Sequence, residues 1–141
     1  MERVAARCAV ALLGLVALFQ IALVAGAPWG AFTQGGQTSG TLPLAGRLLA
    51  ALSIVVVLVM ALAILARAGL GPMARAPRRL ITVLTWFTMI YSLLAIVANT
   101  ASQSASERML WAPFSLVLAI VIGFVMWRTR RGEVVHASDV D

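Results

Sequence analysis

The chain has no lysine, one cysteine and one histidine among 141 residues, and only 11% of it is charged. Each shortage excludes something. A lone Cys8 rules out an internal disulfide, a CxxC redox pair and a multi-cysteine metal site. At the start of an apolar run it reads as a small apolar side chain. The single His136 stands between Val135 and Ala137 near the C-terminus, so neither a metal site nor a cofactor is expected. No HExxH, GxSxG, Walker A or GxGxxG pattern occurs, and no catalytic residue is assigned.

What the chain has instead is apolar mass. Hydrophobic residues make up 62% of it and the mean hydropathy is +0.99. Soluble globular chains carry roughly 45–50% apolar residues. A water-soluble fold cannot cover its surface with so few charges, so the class is integral membrane protein. At this length there is room for one compact unit and not for two soluble domains.

All eleven basic residues are arginines, and the formal net charge is +6. They flank apolar runs and form no contiguous patch, so nucleic acid is not an expected partner. An Ala- and Arg-rich chain without Lys has the composition of a GC-rich bacterial genome. The expected location is the bacterial cytoplasmic (inner) membrane, as a multi-pass protein.

Four long apolar runs lack any charge: 8–26, 48–66, 80–98 and 109–127. Each spans about 28 Å as a helix, matching a ~30 Å hydrocarbon core. In lipid every backbone N–H and C=O needs an internal partner, so each run must be helical. This holds even for the β-branched Ile54–Val57. The first run also resembles a signal peptide, with Arg3 and Arg7 before it and Ala25-Gly26-Ala27 after it. It exceeds the usual h-region length, and Pro28 would follow the cut, so it is expected to stay as a helix. Residues 1–127 then form a single four-helix transmembrane domain. Residues 128–141 form a short polar tail, expected to be disordered. The fold class is all-α: an antiparallel four-transmembrane-helix bundle.

Arginines orient it. Arg3, Arg7, Arg67, Arg75, Arg78, Arg79, Arg128, Arg130 and Arg131 lie on one side, and only Arg47 and Arg108 on the other. The positive-inside rule puts the larger set in the cytoplasm, giving an N-in/C-in topology. Trp29 and Trp111 then anchor the outer interface and Trp127 the inner one.

The two outer segments are where a binding site is expected. The 27–46 loop is uncharged and Gly-rich, yet carries Trp29, Phe32, Leu42 and Leu44. That pattern reads as a lid folded back on the mouth of the bundle, or more blandly as a flexible crossover with a Trp anchor. The second segment, 99–108, holds Asn99, Ser102, Glu107 and Arg108. Ser104 and Glu107 have the spacing of a capping box for the fourth helix. Glu107 and Arg47 share the outer face and could pair. With Trp29, Gln34, Gly35, Gly36, Gln37, Asn99, Ser102 and Arg108 they outline a ligand-binding vestibule. Capping and interface anchoring account for the same residues without a ligand. Thr85, Thr88 and Ser92 draw a small-polar stripe down the third helix, suited to helix packing or to lining a path. No Asp, Glu, Lys, Arg or His lies within any run, so the ionisable groups of proton-coupled pumps and relays are missing.

Several motifs together carry a resemblance. They are Gly26-Ala27-Pro28-Trp29-Gly30, Gly35-Gly36, Gly40-x-Leu42-Pro43, Arg47, and the Asn99, Ser102, Ser104, Glu107, Arg108 series leading to Trp111-Ala112-Pro113. The chain resembles a family of small four-helix bacterial membrane proteins of unassigned function. The resemblance implies no activity and directs attention to the outer face.

Three function classes follow. The first expectation is a non-catalytic accessory protein or subunit of a membrane complex, with a membrane protein partner or self-association. The alternative is a binder or carrier of a lipid or small apolar molecule, with the 27–46 loop as lid. The third is an outer-leaflet enzyme using Glu107, Asn99 and Arg47, in which Glu107 would act as general base.

Overall fold

The structure is a computed structural model; it describes residues 1–138, with side chains through Arg130. Four helices make the fold: α1 Glu2–Ala25, α2 Leu44–Arg67, α3 Arg78–Ala101 and α4 Ala105–Ser138. No strand occurs among the described residues. All four helices are long and apolar enough to cross a membrane.

Each helix outruns its charge-free window. A backbone leaving hydrocarbon must stay hydrogen-bonded until it meets water, and an arginine can extend along the helix to reach the interface. Arg3, Arg7, Arg47, Arg67, Arg78 and Arg79 accordingly sit inside helices rather than beyond their ends. The tail departs further from expectation. Residues 128–138 continue α4 as helix, while 139–141 lie outside the described residues. Contacts hold the first extra turn. Arg67 Nε donates to Thr129 Oγ1 at 2.9 Å, and the Arg130 guanidinium lies 5.1 Å from the Trp86 ring centroid. Pro113 lies inside α4, which runs on through it.

The helices pack as a ring in chain order, α1 on α2, α2 on α3, α3 on α4 and α4 on α1. The arginine-rich half is tightly filled. Ala6 and Ala9 of α1 are fully buried, beside Met60, Ile64, Ile122 and Val125. Such small side chains let helix backbones approach closely. Large apolar side chains such as Leu18, Leu48, Val83, Val97 and Ile120 point outward. Polar groups point in: Thr85, Thr88 and Ser92 are buried. Their hydroxyls donate to Ile81 O, Leu84 O and Thr88 O, one turn back in their own helix. The stripe therefore faces the bundle as expected, but it is satisfied within α3 rather than across helices.

The connections set the two ends. Gly26 ends α1 with φ 98°, and the following Ala27 N–H returns to Ala22 O at 2.9 Å. A left-handed residue here closes the helix and throws the chain back over the bundle. At the other end, residues 68–77 turn through Gly69 and Gly71, both at positive φ, into a short 3-10 turn at Pro72–Arg75. Pro77 then caps α3.

Candidate functional site

The loop after α1 is ordered and docked. It runs from residue 27 to 43, since Leu44, Ala45 and Gly46 already belong to α2. Two 3-10 turns, Gly30–Phe32 and Gln34–Gly36, give it shape, and Gly30 N–H to Gly40 O at 2.9 Å closes its base. No side chain fits at Gly30, where a Cβ would stand 2.4 Å from Thr38 O. Gln34, Gly35 and Gly36 run consecutively at φ 52°, 77° and 67°. Such a left-handed run is costly for anything but glycine, and it persists only where surrounding contacts fix it.

Those contacts come from the start of α4. Ser104 Oγ donates to Ala31 O at 2.6 Å, and Trp111 Nε1 donates to Phe32 O at 2.8 Å. The Gly35 N–H donates to Glu107 Oε2 at 2.9 Å, and Ser102 Oγ donates to the same oxygen at 2.6 Å. Gly36 passes so close to Ser104 that a Cβ would meet Ser104 Cβ at 2.4 Å. The Gln34 side chain crosses to α2 and donates to Gly46 O at 2.8 Å. Beneath the loop Trp29 stacks on Phe19 at 5.8 Å, Phe19 meets Trp111 edge-on at 4.9 Å, and Trp111 meets Phe114 at 5.3 Å.

The capping box is half formed. Ser104 Oγ accepts from the Glu107 N–H at 3.2 Å, as the spacing requires. The reciprocal bond is replaced, because the Ser104 N–H goes to Ser102 Oγ and the Glu107 carboxylate goes to the loop. Arg47 does not pair with Glu107. Its guanidinium clasps Val24 O through Nε, at 2.8 Å, and through an Nη. A cation on the last carbonyls of α1 is favourable there, since those groups have no partner within the helix. Arg108 likewise turns to backbone, donating to Ser102 O at 2.6 Å.

Under this loop lies a cavity of about 390 Å³. Its walls are mainly apolar, with Leu13, Val16, Phe19, Phe114 and Leu118 among them, and Gln20, Ser92, Asn99 and Glu107 face into it. Glu107 and Asn99 lie close to the lid-side ends of their spans, while Leu13 and Leu118 lie near the middle of theirs. Gln20 falls between these levels. The cavity thus runs from the lid-side ends of the helices to about the middle of their length. Asn99 Nδ2 donates to Ser115 Oγ at 2.7 Å and Ser115 Oγ donates to Trp111 O at 2.6 Å, a chain tying α3 to α4. Among the described residues the Gln20 amide has no hydrogen-bond partner. Ser53 of α2 bonds Leu49 O in its own helix.

The wall is incomplete on one side. From α2 only Val57 and Met60 contribute, because its lid-end half packs on α1 through Ala50 against Leu23 and Val24. Tyr91 and Leu94 line the cavity and are nonetheless 39% and 62% exposed on the outer surface of α3.

The residues expected to form a vestibule therefore divide. Gly35, Gly36, Ser102 and Glu107 form the latch between loop and α4, and Asn99 and Glu107 line the cavity. Gln34 ties the loop to α2, Trp29 covers Phe19, and Gln37 is exposed on the loop surface. Arg47 and Arg108 serve backbone carbonyls, so the set Glu107, Asn99 and Arg47 is not assembled around one point. Lining residues not foreseen include Phe19, Thr33, Tyr91, Phe114 and Ser115, and no sequence pattern marked them. The chain matches no protein-family model, no curated protein and no solved structure.

Proposed function

We propose that this protein holds a lipid-like or small apolar molecule in this cavity, with residues 27–43 as its lid. One observation carries the reading: the apolar cavity meets the docked loop at Thr33 and Glu107, while Tyr91 and Leu94 in its wall are exposed on the outer, lipid-facing surface of α3. A single-tailed amphiphile entering from the bilayer would place its tail along Leu13, Val57 and Leu118 and its head below Gly35. The volume falls in the range of small-molecule sites, ~300–1,000 Å³. An apolar site with a few convergent polar groups is the usual form of such sites. The outward-facing leucines and valines are the surface that lipid covers, so they do not by themselves favour a partner subunit. By the arginine asymmetry, the lid faces outward from the cytoplasmic membrane of a bacterium.

Trp111 lines the cavity and reports on its contents. In phosphatidylcholine nanodiscs, dodecanol carrying a terminal bromine is expected to quench tryptophan fluorescence saturably. Ala95→Phe, which fills the cavity from α3, is expected to remove the saturable part. Quenching that rises only linearly with probe, equally in both proteins, would overturn the proposal.

A further inference from the structure

We infer that the occupant of this cavity carries a positively charged head, an ammonium group on a single apolar tail. The inference rests on the binding role proposed above and specifies its ligand class. Glu107 is 8% exposed and lines the cavity at its lid end. No cation pairs with it among the described residues. The two arginines at this end are both engaged elsewhere, Arg47 on Val24 O and Arg108 on Ser102 O. A buried carboxylate without a counter-ion is expensive, and an opposite charge brought into the same low-dielectric site is strongly favoured.

The hydrogen-bond inventory agrees with the charge. Both side-chain contacts of the Glu107 carboxylate, from Gly35 and from Ser102, reach Oε2, and among the described residues none reaches Oε1. Asn99 spends Nδ2 on Ser115. That orientation is forced, because the Ser115 hydroxyl proton already goes to Trp111 O and its oxygen must accept. The Asn99 Oδ1 is therefore left as an open acceptor. At the depth of a headgroup the site thus offers a negative charge and two open acceptors. An ammonium with several N–H donors answers all three. A phosphate or carboxylate head answers none and is repelled by Glu107.

The test is competition in the intact chain. Protein in phosphatidylcholine nanodiscs is loaded with equal amounts of dodecylamine, dodecanol and dodecanoate, and native mass spectrometry reads which is retained. The amine is expected to exceed the alcohol about ten-fold, equivalent to about 1.4 kcal/mol, with the carboxylate lowest. Glu107→Gln keeps an acceptor for Gly35 and Ser102 while removing the charge, and should bring the amine down to the level of the alcohol. Equal retention of amine and alcohol by the unmodified protein overturns the inference without any variant. So does an amine preference that survives in Glu107→Gln. In both cases retention of the alcohol leaves the binding role standing, whereas retention of no probe overturns the binding role as well. Phosphatidylethanolamine in the nanodisc, two-tailed and carrying a phosphate beside its ammonium, should not displace dodecylamine; displacement would overturn the single-tailed amine as the ligand class.

Discussion

The backbone N–H of Gly35 donates to the carboxylate of Glu107, 72 positions further along the chain, at 2.9 Å. This bond joins the loop after α1 to the first turn of α4 and sets the buried charge at the top of the cavity. Loop and charge are therefore one device, and substitutions at either should be felt at both.

Glycine replacements separate fit from flexibility. Gly36→Ala must accommodate a Cβ 2.4 Å from Ser104 Cβ on a residue at φ 67°, and Gly30→Ala one 2.4 Å from Thr38 O. Each should cost about 1–3 kcal/mol. Amide exchange across residues 30–38 should accelerate in both. Gly40→Ala is the control, since nothing lies within 4 Å of its added Cβ, and exchange should stay at the unmodified rate.

The arginine and the carboxylate of this end act independently. Arg47→Met removes the clasp on Val24 O and should lower stability by about 1.5–2 kcal/mol, with Arg47→Lys recovering part. Combined with Glu107→Gln, the losses should add within about 0.5 kcal/mol. Unfolding titrations in mixed micelles measure this. A coupling well above that value would mean the two groups pair in the membrane.

Asn99 and Ser115 form the polar tie between α3 and α4. Polar contacts between membrane helices average about 0.6 kcal/mol and reach about 1.7 kcal/mol. The double-mutant cycle of Asn99→Ala and Ser115→Ala should yield a coupling within that range. Ser53→Ala, whose hydroxyl only returns to Leu49 O, should be nearly silent.

The proposed orientation has its own check. In a Cys8→Ser background, Gln37→Cys should react with a membrane-impermeant maleimide on intact cells, and Ala74→Cys should react only after lysis. The reverse pattern would invert the topology.

Much of the fold was legible because hydrocarbon leaves few options. Charge-free runs had to be helices, and the antiparallel four-helix bundle followed from their number and spacing. The glycines of the loop and the inward stripe of Thr85, Thr88 and Ser92 were likewise readable. The helix ends were not, because arginines near them find partners, Arg47 on Val24 O and Arg67 on Thr129, while the helix runs on past them. Nor was the fate of Glu107. Its spacing from Ser104 spells a capping box, and local spacing says nothing about a competing donor in the loop after α1. The same holds for Arg47, whose charge suggested an ion pair while an orphan carbonyl at the end of α1 lay closer. The cavity itself depends on the lid-end half of α2 packing on α1, which leaves only Val57 and Met60 of α2 in its wall, a tertiary outcome without a periodic signature.

The central claim is that the space below the lid is a binding site. Native mass spectrometry of the full chain, extracted gently from its host membrane, tests it most directly. The account predicts one retained single-tailed molecule per chain, present in the unmodified protein and absent from Ala95→Phe. An unmodified protein that emerges without any such mass, or whose retained mass is indifferent to Ala95→Phe, would contradict it.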